Sequence, residues 1–282
     1  MKVPVYDRPV RRALLLSALW LASCAAIPTA LERQAHTTGL AASKGWLPSR
    51  IAAGDFELVA YAPPNLTVAK RLTVYIEGDG LAWISGNQPS TDPTPRDPLA
   101  LRLALAQPAG HAVYLARPCQ YVNAAQSGCA QRYWTEARFA PEVIEAMDLA
   151  IGSLKQRYSA TRLVLVGYSG GAAVAALVAA RRTDVMELIT VAGNLDHRAW
   201  TSHHQVRALN ASLNAADSAS LLANLPQTHF LGGKDRVIPP ALARHWPVAL
   251  TGLDQSNLHV LASADHACCW VERWPALLPS TD

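Results

Sequence analysis

Charge is scarce in this chain. Asp, Glu, Lys and Arg make up 16% of its 282 residues, too few for a disordered polymer. Half of the residues are apolar, which is enough to fill one large core rather than two small ones. No internal repeat and no long run of like charge occurs. No Cys-x-x-Cys and no His-x₃-His spacing occurs either, which argues against a metal site such as zinc; no organic cofactor is expected. The positive excess is local: residues 1–23 hold Lys2, Arg8, Arg11 and Arg12 against Asp7, and the remainder is nearly balanced. A basic surface for nucleic acid is therefore not expected. The apolar run near the start, ALLLSALWLAS, is too short to span a bilayer as a helix.

That run follows the basic stretch MKVPVYDRPVRR and ends in Leu21-Ala22-Ser23-Cys24. A leucine, two small residues and a cysteine at this place resemble the lipobox of bacterial lipoproteins. The resemblance implies a signal peptide over 1–23, cleavage before Cys24, and acylation of its thiol and new amino group. The alternative is an ordinary signal peptide cut at a small-residue site such as IPTA. Ala25, not Asp, follows Cys24; by analogy with enteric bacteria, that favours a lipid anchor in the outer membrane of the cell envelope, facing the periplasm. Residues 24–50 then read as a tether, and 51–282 as the domain. An exported chain meets an oxidising compartment. Cys119 and Cys129, ten apart, fit a loop-closing disulfide. The adjacent Cys268 and Cys269 fit two thiols, a vicinal disulfide or another pairing.

Strand and helix patterns alternate along the rest of the chain. FELVAYAP (56–63) and LTVYIEG (72–78) read as strands. Asp97 reads as a helix cap, with Pro98 at the first position and LALRLALAQ as the body. HAVYLARP (111–118) is the next strand. In APEVIEAMDLAIGSLKQRY, Val143, Ile144, Met147, Ile151 and Leu154 share one helical face. RLVLVG reads as a strand, GGAAVAALVAARR as a helix, and ELITVAG, THFLGG and LHVLAS as further strands. The polar, alanine-rich stretch 194–227 reads as short helices, a candidate lid. Several strands are apolar almost throughout, the mark of a parallel sheet covered on both faces. In such sheets the ligand site lies beyond the carboxyl ends of the strands.

Ser169 stands at one such end, in Gly167-Tyr168-Ser169-Gly170-Gly171 between a strand and a helix. A nucleophile on a sharp strand-to-helix turn needs small neighbours, and the following helix aims its positive end at the site. A serine also needs a base, and the base an orienting acid. Asp235 follows THFLGG, on a loop braced by prolines, and His266 follows LHVLAS. Asp235 also suits a helix cap, and Asp196 in AGNLDHRAW is a rival acid. Asp265 reads as a loop carboxylate.

The motifs GYSGG, GGKDRVIP and ADH, in the order Ser169, Asp235, His266, resemble the α/β-hydrolase fold over roughly residues 52–275. The resemblance implies a mostly parallel central sheet flanked by helices on both faces, and a serine hydrolase acting on a small-molecule or lipid-like acyl substrate. Carboxylic esters come first; peptidase, thioesterase and acyltransferase chemistry use the same groups, and a non-catalytic envelope protein on this scaffold is the alternative from another class. The oxyanion donors implied are the N–H of Gly170 and one from Glu77-Gly78-Asp79-Gly80. In the family that strand often ends in His-Gly. Here Glu77 replaces the histidine and Asp79 takes the donor position, with Gly80 second. A carboxylate there disfavours an oxyanion unless it points away or is paired, for instance with Arg117.

Overall fold

An eight-stranded sheet runs through the molecule in the order β1-β2-β6-β3-β7-β8-β9-β10. The computed structural model describes residues 27–64, 70–123 and 128–278; the apolar run and Cys24 lie outside them. The strands are β1 (Leu47–Ala53), β2 (Phe56–Ala62), β3 (Arg71–Ile76), β6 (His111–Leu115), β7 (Arg162–Tyr168), β8 (Val185–Val191), β9 (Gln227–Gly232) and β10 (Leu258–Leu261). β4 (Trp83–Ser85) and β5 (Gln88–Pro89) form a separate hairpin. β1 and β2 pair antiparallel, as do β2 and β6; every later neighbour is parallel.

Alternate residues of the central strands feed two cores. Leu72, Val74 and Ile76 of β3 pack on the face covered by α3 (Pro141–Arg157) and α4 (Gly170–Ala179). Tyr75 of β3, with Val164 and Val166 of β7, packs on the other face under α2 (Leu99–Leu105) and the last helical turn, Trp274–Leu277. Both sets are buried, which is why these strands read as continuous apolar runs. Val143, Ile144, Met147, Ile151 and Leu154 of α3 are all buried, each contributing about 1.5–3 kcal/mol of apolar burial. Every residue of α4 is buried, and its alanines let it lie close against the sheet.

Two expectations are corrected. The described part of the 24–50 tether is folded. Thr29 and Glu32 form a capping box that opens α1 (Ala30–Ala42). From α1, buried Arg33 donates to Thr94 O at 2.8 Å and pairs with Asp92 at 3.0 Å, and β1 follows as the sheet's edge strand. The folded unit therefore starts well before residue 51. Asp97 does not cap α2: Pro98 holds the cap position without a side-chain bond, and the Asp97 carboxylate pairs with Arg102 at 2.7 Å. The candidate lid over 194–227 is anchored in its second half. It holds α5 (His197–His204) and a 3₁₀ stretch, Ala215–Leu222, whose Ala215, Ala219 and Leu222 are buried.

Candidate active site

Ser169 sits between the end of β7 and the start of α4, with φ 52° and ψ −119°. A positive φ is costly for a residue with a Cβ. The turn is held by Ser169 N–H donating to Val191 O and by Asn194 N–H donating to Ser169 O, both at 3.0 Å. The flanking glycines are steric necessities at two positions. A Cβ on Gly171 would strike the carbonyls of Ile76 and Glu77, and one on Gly170 would fall onto the Asp79 carboxylate.

His266 stands five residues past the end of β10. Its Nε2 lies 3.1 Å from Ser169 Oγ, and its Nδ1 lies 2.8 Å from Asp235 Oδ2. The Tyr168 ring packs beside the imidazole with centroids 5.3 Å apart. Asp235 is buried. Its Oδ1 accepts from Val237 N–H at 2.7 Å and Ile238 N–H at 2.8 Å. One oxygen thus braces its own loop while the other faces the histidine; the following 3₁₀ turn, Pro240–His245, is capped at Pro239 without a side-chain bond, so Asp235 is not its cap. An aspartate so held fixes one tautomer, with Nδ1 protonated and Nε2 free to accept from the serine. The rival Asp196 is elsewhere employed: its Oδ1 accepts from Arg198 N–H, Ala199 N–H and Asn214 Nδ2, capping α5. Asp265 accepts from Ala267 and Cys268 N–H as a loop carboxylate.

Gly170, the first residue of α4, has no carbonyl of its own helix to bond. The loop after β3 lies against the same turn, since a Cβ on Gly78 would sit 3.3 Å from Ser169 Cβ. The Asp79 side chain is paired twice, with Arg138 at 2.6 Å and Arg117 at 3.2 Å. Burial alone would raise its carboxyl, but the two guanidiniums, Arg138 ahead of Arg117, outweigh it and hold it below the usual range. Two arginines against one aspartate leave one net positive charge on this group, whose carboxylate lies against Gly170. A carboxylate at this loop is therefore compatible with negative charge developing on a bound carbonyl. Arg138 is the member of this charged group that the sequence reading missed. It lies just ahead of α3, far from any strand end, and no motif marks it.

Glu77 is 1% exposed; its Oε1 accepts from Gly78 N–H at 2.9 Å, and its Oε2 has no partner among the described residues. Burial pushes its carboxyl from 4.5 up to about 7, against a smaller pull from that N–H. Between those pH values the unfolded chain has released this proton and the folded chain holds it. Stability therefore falls as pH rises through the window, by about 3 kcal/mol. Urea unfolding at about pH 5 and about pH 8 reads this component. Glu77→Gln is expected to gain relative to wild type at the higher pH, and an offset independent of pH would contradict the assignment.

The structure joins Cys119 to Cys129, with Cα atoms 5.6 Å apart, and Cys268 to Cys269. The first bond staples the segment that carries Gln120, whose Nε2 donates to Gly78 O at 3.0 Å. Closing a loop of this length is worth about 3 kcal/mol. A Cys119→Ser, Cys129→Ser double variant should lose that much in denaturant unfolding; an unchanged midpoint would mean the bond adds nothing. Among the described residues, no cluster of three or more His, Cys, Asp or Glu side chains is placed to hold a metal ion.

No protein-family model and no curated protein matches the sequence. Solved structures do match. An esterase from Pyrococcus furiosus superposes with TM-score 0.57 at 12% identity, over 89% of this chain and 93% of that one. An alpha-beta serine hydrolase homologue from Coxiella burnetii gives 0.52 at 16%, over 82% and 93%. The chain has the α/β-hydrolase fold. A serine hydrolase without lid from Xanthomonas campestris gives 0.52 at 13%, over 84% and 97%. At these identities the likeness extends to the α/β-hydrolase architecture alone; what the chain does must be argued from its own side chains.

Proposed function

We propose that the protein is a serine hydrolase that cleaves carboxylic esters through an acyl-enzyme. The observation that carries this reading is the continuous hydrogen-bonded chain Ser169 Oγ, His266 Nε2, His266 Nδ1, Asp235 Oδ2, with links of 3.1 and 2.8 Å. Ser169 Oγ attacks the ester carbonyl carbon as its proton passes to His266 Nε2. The carbonyl oxygen becomes an oxyanion facing the Gly170 N–H, with Asp79 N–H as the second donor. The tetrahedral intermediate collapses, the C–O bond to the alcohol breaks, and the imidazolium returns its proton to the departing oxygen. Water then repeats the sequence: His266 takes its proton, the acyl group leaves as carboxylic acid, and Ser169 recovers its hydrogen. Asp235 stays ionised throughout and stabilises the imidazolium. Each oxyanion donor is worth about 3–4 kcal/mol of barrier, and the net charge of the Asp79, Arg117 and Arg138 group adds to the same end.

Release of p-nitrophenol from p-nitrophenyl butyrate tests the reading. Saturable turnover that is lost on blocking Ser169 is expected. An inert wild-type protein across a series of acyl lengths would favour a scaffold that kept the fold without turnover.

A further inference from the structure

We propose that the cleft beside His266 selects esters whose alcohol part carries an anionic group, a carboxylate or a phosphate, held by Lys234 and Arg236. The inference rests on the hydrolase reading above and names the substrate class for that site. The cleft measures about 620 Å³ and is lined by Lys234, Arg236, Val237, Asp265, His266 and Ala267. It lies between the loops that follow β9 and β10. Those loops are pinned to each other by Gly233 N–H donating to Leu261 O at 2.8 Å and Lys234 N–H donating to Ala264 O at 2.9 Å.

Mechanism decides which half of the substrate meets this wall. His266 must return its proton to the departing alcohol, so the alcohol oxygen comes within hydrogen-bond reach of Nε2. The rest of the alcohol extends past the imidazole, where His266 is itself part of the cleft lining. The carbonyl oxygen is directed instead at the Gly170 N–H, and Gly170 does not line this cleft. Lys234 and Arg236 therefore stand on the leaving-group side of His266.

Charge decides what that leaving group carries. Both cations are exposed, and neither side chain makes a hydrogen bond or an ion pair within 4 Å among the described residues. Two carboxylates are nearby. Asp235 is buried, with one oxygen on Val237 and Ile238 N–H and the other on His266. Asp265 lines the cleft, but its Oδ1 is taken by Ala267 N–H at 2.9 Å and Cys268 N–H at 2.6 Å. Those two bonds, ahead of the charges of His266 and Lys234, hold its carboxyl below the usual range. The cations thus outnumber the single acid on the cleft wall, and the partner they lack is an anion. Val237 and Ala267 supply the apolar surface that a small organic alcohol would cover.

Matched butyrate esters of 3-hydroxybenzoate (anionic) and 3-hydroxybenzamide (neutral) give the test, read as the ratio of their kcat/KM values. Any variant effect common to both esters cancels in that ratio. A Lys234→Gln, Arg236→Gln double variant should lower it on the order of tenfold, as expected for two charge contacts in a solvated cleft. Lys234→Arg with Arg236→Lys should restore it. In wild type the ratio should also fall as salt rises from about 0.02 M to about 0.5 M, a measurement that needs no variant. Hydrolysis of both esters with a ratio that neither salt nor charge removal shifts would overturn this inference alone. Hydrolysis of neither would overturn the hydrolase reading and this inference with it.

Discussion

Ser169→Ala is expected to lower kcat for p-nitrophenyl butyrate by ~10⁵ to 10⁶-fold, with the fold intact. The substitution removes the one atom that bonds to the acyl carbon and leaves the oxyanion donors in place, so a small residual rate over water should persist. The backbone at this position is set by Val191 O, Asn194 N–H and the packing of α4 rather than by the hydroxyl. Alanine also keeps the Cβ that the strained φ already tolerates. Its melting temperature should therefore stay close to wild type. Steady-state kinetics beside a thermal melt check both halves. A variant that keeps more than about a tenth of wild-type kcat would mean that Ser169 is not the nucleophile, because losing the atom that forms the acyl-enzyme bond costs far more than tenfold.

Asp235→Asn is expected to lower kcat by ~10³ to 10⁴-fold, and Asp196→Asn to leave it nearly unchanged. The two aspartates lie at the ends of neighbouring strands, and the sequence alone left both open as the acid. Asparagine at 235 would keep an oxygen for Val237 and Ile238 N–H but would turn an amide N–H₂ toward His266 Nδ1. That nitrogen would then have to accept, placing the proton on Nε2, where the serine needs a free lone pair. The loss should therefore fall on kcat, with little change in stability. At Asp196 the carboxylate caps α5 and accepts from Asn214 Nδ2, and an asparagine oxygen can do both. Equal losses in both variants, or a loss confined to Asp196→Asn, would assign the acid wrongly.

The sheet was legible because its central strands are buried on both faces and so stand out as apolar runs, each ended by glycine or a polar cluster. Ser169, Asp235 and His266 were legible for the related reason that a parallel sheet gathers its strand ends on one edge. Three features escaped. β1 is an edge strand in which only Ile51 and Ala53 are buried, so LPSRIAA lacks an apolar run. α1 was overlooked although Thr29 and Glu32 stand at capping-box spacing; after a presumed cleavage site the segment reads as tether. Arg138 escaped because its role is set by three-dimensional packing: it reaches Asp79 across 59 residues of chain. The same packing answers the conflict posed by Glu77 and Asp79. One carboxyl is buried and pushed toward neutrality, and the other is paired with two guanidiniums.

The central claim is that Ser169 is activated by His266. Incubation of the intact protein with a fluorophosphonate, followed by peptide mass spectrometry, tests it most directly. An activated serine displaces fluoride, so the account predicts one phosphonyl adduct on the peptide containing Ser169. The adduct should be absent in Ser169→Ala and strongly slowed in His266→Ala. An unlabelled wild-type protein, or equal labelling of wild type and Ser169→Ala, would contradict it.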